Sequence, residues 1–441
     1  MSHSSAQQPT SLRWYQGLDR YCWVVLTVAA LGWLFDTMDQ NLFNLVRKPS
    51  LTDLLNSSLT GDALKAAVND AAGTLTSVFL IGWAVGGFVF GILGDKFGRT
   101  GTMVITILIY AIFTGLSGLA WDVPSYAFMR FMTALGVGGE WAAGAALVAE
   151  VFPARSRPMA LGTLQALSAV GNMMAAFITL GLGDMEENWR TAYFIGAVPA
   201  ILVIFIRRTV KDPETWVHAR QNTAAEELGN ISLLFSDPVL RPKTIAAMLM
   251  ATAGVGALWG VGFFSPDLLH GELAASVPDA AKRGRMVSVV FLLQQVGAAI
   301  GIFLFAVVAE RFNRRITFFA WFGLAWVSIV LFFWGVQGAG EAAFSRGMVL
   351  ACIMGFCTLG PFSGYSVYFP ELFPTRLRAT GLGVCYNAAR ILAAAAPYAL
   401  GKLSGQLGGF AQAATVVSGI YLLGFLGTYL APETKGKPLP E

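Results

Sequence analysis

The sequence predicts an all-α polytopic membrane protein, with twelve transmembrane helices arranged as two pseudo-symmetric six-helix bundles. Three observations lead there. Of 441 residues, 55% are apolar and only 13% are charged, about half the roughly 25% charge of soluble chains. With a mean hydropathy of +0.61, so little polar surface cannot cover the two or three water-facing domains this length would otherwise form. The apolar residues also fall in long runs, and a bilayer span needs about 20 of them. Short motifs recur between the two halves of the chain at nearly one offset.

The runs fall at about 21–46, 74–94, 100–120, 124–149, 158–182 and 189–207, then at about 244–269, 286–309, 315–336, 345–371, 378–401 and 408–430. The first run is expected to be a retained helix, because the polar segment before it is not followed by a short apolar stretch with a small-residue cleavage site. Asp95-Lys-Phe-Gly-Arg99-Thr matches Glu310-Arg-Phe-Asn-Arg314-Arg at an offset of 215. Glu150-Val-Phe-Pro-Ala-Arg-Ser-Arg157 matches Glu371-Leu-Phe-Pro-Thr-Arg-Leu-Arg378 at 221, and Pro213-Glu-Thr matches Pro432-Glu-Thr at 219. A parallel repeat of six helices is a transporter plan, with the site between the repeats. The expected division is 1–207, a linker at 208–243, and 244–441. Glycines inside the runs, such as Gly136, Gly138 and Gly139, let neighbouring helices approach closely in a membrane.

Orientation follows the positive charges. Of 30 Lys and Arg, nine (Arg47, Lys48, Lys65, Arg190, Lys282, Arg283, Arg285, Arg346 and Lys402) fall in one set of loops. Two, Arg130 and Arg390, lie inside runs, and the other nineteen lie in the segments on the opposite side. Both termini and the linker are therefore expected in the cytosol, with the chain in the plasma (inner) membrane. No basic block tracks a phosphate backbone, so nucleic acid is not an expected partner. Cys22, Cys352, Cys357 and Cys385 each sit in an apolar run and read as small buried hydrophobes, not a disulfide or metal set. Neither cofactor nor metal is expected. The absence of a P-loop, a metal cluster or a nucleophile motif argues against an enzyme.

Gly91-Ile-Leu-Gly-Asp95-Lys-Phe-Gly-Arg99, Arg130-Phe-Met-Thr-Ala-Leu-Gly136-Val-Gly138-Gly139-Glu140-Trp141 and Pro432-Glu-Thr-Lys-Gly436 carry a family signature. The chain resembles the major facilitator superfamily over nearly its whole length. The second motif is similar to proton-coupled organic-acid porters and the third to sugar porters. The resemblance implies the major facilitator fold, and it implies charge networks that lock the cytosolic gate: Asp95, Arg99, Glu150, Arg155, Arg157, Glu310, Arg314, Glu371, Arg376 and Arg378. One departure bears on substrate. Sugar porters carry amides on the seventh helix, whereas here it reads Ala-Gly-Val-Gly-Ala-Leu-Trp259-Gly-Val-Gly-Phe-Phe-Ser265-Pro-Asp267. Gln294 and Gln295 lie on the eighth.

Charges inside spans are costly and default to functional readings. Away from run ends there are five: Asp36, Asp39, Arg130, Glu140 and Arg390. Asp36 and Asp39 share one face of the first helix, and Arg130 lies at similar depth on the fourth. In the resemblance, Asp36 takes the place of the sugar-porter acid that works with that arginine. Proton coupling is expected from Asp36 with Arg130, with Asp39 and Glu140 as further members; the alternative is a static Asp–Arg pair. His3, His218 and His270 lie in polar segments or at a helix end. Arg390, one turn after Asn387 and mid-span, suits carboxylate recognition through its forked donors; the alternative is a permanent pair with Glu140 or Asp39. Tyr386, Tyr365 and Trp259 are expected cavity residues, though Trp and Tyr in spans also serve as packing or interface anchors.

The function expected is proton-coupled symport of a small organic carboxylate by alternating access, by a chain acting as a monomer in the bilayer. Its rivals are a proton-coupled sugar or polyol porter and a transport-dead sensor.

Overall fold

The computed structural model describes residues 14–55, 60–182, 185–222, 227–274, 276–393 and 409–440, with a few isolated positions between them. Helices α1 to α5 are Arg20–Leu55, Gly61–Phe97, Arg99–Ser117, Val123–Val151 and Arg157–Leu182. Then come α6 (Met185–Gly196), α7 (Ala200–Thr209), α8 (Glu214–Asn222) and α9 (Ile231–Ser236). The second half holds α10 (Leu240–Gly260), α11 (Ser265–Leu273), α12 (Ala280–Arg311), α13 (Arg314–Val336), α14 (Ala343–Leu372), α15 (Arg378–Ala393), α16 (Phe410–Ser418) and α17 (Tyr421–Leu430). No strand occurs among the described residues. Nine described helical stretches are long and apolar enough to cross a membrane.

Three expected runs, the sixth, seventh and eleventh, are interrupted or only partly described, and the twelfth, one of the nine, is locally tightened. The sixth is cut between α6 and α7 beside Pro199, which has no N–H to continue the ladder. The seventh, expected unbroken over 244–269, divides at Val261 into α10, one 3-10 turn at Gly262–Phe264, and α11. Pro266 in the first turn of α11 cannot donate back into α10, so the helix restarts there. The twelfth tightens at Gly419 and Ile420, whose N–H groups reach Val416 and Val417. The eleventh, α15, is described to Ala393, and 394–401 lies outside the described residues.

The first helix also runs past its expected end at 46. Its extra turns stay helical because their polar groups find partners: Arg47 donates to Thr76, and Ser50 bonds the Arg47 carbonyl at 2.9 Å and Tyr126 at 3.1 Å.

Within the first half, α2 packs on α4 and α1 on α5; within the second, α12 packs on α14 and α10 on α17. The halves meet where α2 lies against α15 and α5 against α12. Glycine sets the α2 contacts. A side chain at Gly138 of α4 would collide with the Trp83 carbonyl, and one at Gly87 of α2 would overlap the Asn387 amide of α15. Exposed Ile, Leu, Val and Phe cover the outer faces, including Ile105, Phe128, Phe177, Ile300 and Leu331. Such a surface suits lipid, and the chain is a multi-pass membrane protein.

Candidate functional site

Arg390 of α15 is buried where the two halves meet. Its guanidinium lies 3.9 Å from the Trp83 ring centre and 4.2 Å from that of Tyr386. One terminal nitrogen donates to Asn387 Oδ1 at 2.5 Å, and Nε has no hydrogen-bond partner among the described residues. Among the described residues Arg390 makes no ion pair, so the alternative of a permanent bond to Glu140 or Asp39 is not what the structure shows. Asn387 holds its orientation by donating to the Gly383 carbonyl at 2.8 Å.

Aromatic rings wall this position. Tyr386 stacks on Trp141 at 4.4 Å and 20°, and Trp83 meets Trp259 edge to face at 6.3 Å. The Trp141 indole donates to Gln165 at 3.2 Å. Tyr365 touches Tyr386, but its hydroxyl donates to the Met250 carbonyl at 2.7 Å, which leaves it as a packing member of the wall.

The acids of α1 divide differently from the expected pairing. Arg130 contacts Asp39, at 3.4 Å, and not Asp36. The pair is saturated: Thr114 donates to Asp39 at 2.6 Å, while Arg130 donates to Ser117, Thr114 and Thr133 at 3.0, 3.2 and 2.8 Å. The Tyr193 ring covers the guanidinium at 4.7 Å. Spacing on one helix face did not separate two acids that differ by most of a turn.

Asp36 faces Glu140 instead. The Glu140 carboxyl reaches over Gly32, where any side chain would collide with it, and meets Asp36 one turn further along α1. Both are buried, and none of their four carboxyl oxygens has a hydrogen-bond partner among the described residues. The Tyr110 hydroxyl, also without a hydrogen-bond partner among the described residues, lies within electrostatic reach of both carboxyls.

The charged end of the bundle holds the repeated motifs. In the first half Arg99 pairs with Asp95 at 2.7 Å and Glu150 at 3.0 Å; in the second Arg314 pairs with Glu310 at 3.4 Å and Glu371 at 3.0 Å. The repeat breaks where the halves join. Both Asp95 oxygens accept from the first N–H groups of α15, Ala379 at 3.1 Å and Thr380 at 2.8 Å, a carboxylate on a helix N-terminus. Arg378 reaches Glu150 at 2.6 Å, and Arg99 reaches the Thr375 carbonyl at 2.8 Å. Two expected members stand apart from this interlock. Arg155 donates to the Gln16 carbonyl near the N-terminus, and Arg376 pairs with Glu227 of the linker at 3.7 Å. Arg157 donates to the Ala149 carbonyl at 2.8 Å, beside Glu150, and lies within electrostatic reach of Glu371 and Glu150 without pairing directly with either. Motif membership set Arg155 and Arg376 beside the gate acids, but their side chains point to other segments.

The sequence left Trp83, Gln165, Asn41 and Asn172 unassigned and placed Gln295 only outside the sugar-porter pattern; the structure joins the last three in a chain of amides. Asn41 of α1 donates to Asn172 of α5 at 2.6 Å, and Asn172 to Gln295 of α12 at 3.1 Å. Amides inside apolar runs were the available signal for these last three. Nothing local distinguishes Trp83 from the chain's other tryptophans.

Residues 29–281 match the sequence profile of the Major Facilitator Superfamily. The chain is 31% identical over 408 residues to a probable 4-methylmuconolactone transporter of Cupriavidus pinatubonensis, covering 92% of this chain and 89% of that protein. It is 28% identical over 361 residues to the cis,cis-muconate transport protein of Acinetobacter baylyi, covering 80% and 84%. Among solved structures, the proton:xylose symporter XylE bound to 6-bromo-6-deoxy-D-glucose is similar in fold, with a TM-score of 0.75 at 18% identity over 95% of this chain and 98% of that one. With the repeated motifs joining two sets of helices around a buried arginine, the chain belongs to the Major Facilitator Superfamily and is a membrane transporter, not an enzyme.

Proposed function

We propose that the protein carries a small, flat organic carboxylate together with protons, by alternating access between 1–207 and 244–441. The linker and both termini face the cytosol, and the chain works as a monomer in the plasma (inner) membrane. The observation that carries this reading is Arg390: a buried guanidinium between two aromatic rings, with no described carboxylate of the protein beside it. An uncompensated buried charge is expensive, and its forked donors fit a carboxylate. The rings of Trp141, Tyr386 and Trp259 offer faces to a conjugated or cyclic acid. Relatives named for muconate and methylmuconolactone transport agree with that chemistry.

The proton site of this reading is Asp36 with Glu140. Two buried carboxylates in contact without a cation repel each other, and a shared proton removes the repulsion. Asp39 with Arg130 has its charges already matched and braces α1 against α4. A sugar would draw on amides, but Asn41, Asn172 and Gln295 bond to one another. Asp95, Glu150 and Arg378 serve as the cytosolic gate, holding α15 to the first half while that side is closed.

The test is uptake into proteoliposomes of cis,cis-muconate, benzoate, their amides and xylose, with and without an imposed pH gradient. Acid uptake driven by an inward proton gradient is expected, with the amides and xylose excluded. Preference for xylose over every acid would replace this reading with a sugar porter.

A further inference from the structure

Arg390 is buried with a partner that belongs to the opposite half of the molecule. Tyr386 lies one turn before it on α15 and moves wherever Arg390 moves. Trp83 lies on α2, and its ring reaches the guanidinium only when α2 and α15 are packed together. That packing is close: Gly87 of α2 sits against Asn387, and a side chain at Gly383 would collide with the Gly87 carbonyl. Trp83 is itself buried and held by edge contacts with Phe79 and Trp259. The Trp83 and Tyr386 rings both sit against the guanidinium, so a carboxylate that reaches Arg390 from the space between the halves meets the Trp83 ring there.

We propose that Trp83 is a built-in substitute for the substrate, occupying the face of Arg390 whenever the carrier closes empty. The inference rests on the carboxylate reading above. A carrier that exchanges must close loaded, whereas net uptake also requires it to close empty and return. Closing empty strands a cation away from water unless something covers it. The π face of an indole does this without a charge, and tryptophan provides the strongest such face among the side chains. Because ring and carboxylate compete for one guanidinium, the ring lowers substrate affinity while permitting the return step.

Two consequences have opposite signs, which separates this role from simple substrate contact. In nanodiscs, Trp83→Leu is expected to bind cis,cis-muconate or benzoate about 2- to 30-fold tighter than wild type, the span of a partly to fully desolvated cation–π contact. Trp83→Phe keeps a weaker face and should fall between. In proteoliposomes, Trp83→Leu should lose most net uptake but keep exchange of labelled for unlabelled acid. Arg390→Gln, in either background, should remove the preference for acid over amide. If Trp83→Leu binds either acid equally or more weakly while Arg390→Gln still loses it, Trp83 belongs to the substrate surface and the inference falls alone. If wild type binds neither acid, or Arg390→Gln binds them as wild type does, the carboxylate reading fails and takes the inference with it.

Discussion

Two arginines are buried in the membrane interior, one in each half, and their surroundings are opposites. Arg130 has a carboxylate, three hydroxyls and a tyrosine ring, all supplied by the first half. Among the described residues Arg390 has one amide from its own helix, a tyrosine from the same helix and a tryptophan from the other half. The saturated ion braces the helices around it. An ion left short of partners is poised for something that comes and goes. The same contrast separates the two acid sites, since Asp39 is fully bonded and Asp36 with Glu140 is not.

The comparison is broken or sharpened first by removing each arginine. Arg130→Gln leaves Asp39 buried without its cation, which is expected to cost about 3–5 kcal/mol of stability and to lower the melting temperature in detergent well below wild type. Arg390→Gln breaks no ion pair within the described protein and should melt near wild type. It should instead weaken acid binding about 10- to 150-fold, the worth of a charge-assisted hydrogen bond, with Arg390→Lys in between because lysine lacks the fork. Equal losses of stability from both glutamines would erase the distinction.

A second prediction concerns the acids. Each unit of pH gradient offers about 1.4 kcal/mol per proton. Asp36→Asn or Glu140→Gln should therefore abolish gradient-driven accumulation while exchange at equal pH persists. An Asp36→Asn carrier that still concentrates acid at the wild-type rate would remove this pair from the coupling.

The charged end has its own contrast, because Asp95 ties α15 across the halves whereas Glu310, its repeat counterpart, is more than a third exposed. Asp95→Ala is expected to weaken the interlock by about 1 kcal/mol, as for a lost helix cap, or roughly fivefold in population of the cytosol-open form. Glu310→Gln should change it little. Labelling of a single cysteine placed between α5 and α12, applied from the cytosolic side, measures both.

The smallest effect is at Glu433, which caps the start of α13. Burial works against its charge, but N–H groups of Lys435, Arg315, Arg314 and Thr434 outweigh this and hold the carboxyl below the usual glutamate range. A lowered folded value stabilises the folded state above the unfolded value, about 4.3, and the gain is lost as pH falls through the folded value. Glu433→Gln should cost about 0.5–1 kcal/mol near neutrality, and its melting difference from wild type should shrink toward pH 4 and below.

The sequence by itself determined the fold class, most of the spans and the short list of costly charges. Apolar runs report burial in lipid wherever they occur, and the repeated Asp95 and Glu310 motifs disclose two related sets of helices. Breaks such as the one at Val261 were less legible, because a proline near a run's end can fall inside a helix or restart it. Partner choice was not legible at all. Asp36 and Asp39 share a helix face, yet one meets Glu140 and the other Arg130, since a few ångströms of helix rotation decide which neighbour each carboxyl reaches. Trp83 lies about 300 residues before Arg390 in the chain, and only the close packing of α2 on α15, allowed by Gly87 and Gly383, brings its ring onto that guanidinium. Burial is written along one chain segment at a time; which buried charges are matched depends on segments that meet only after folding.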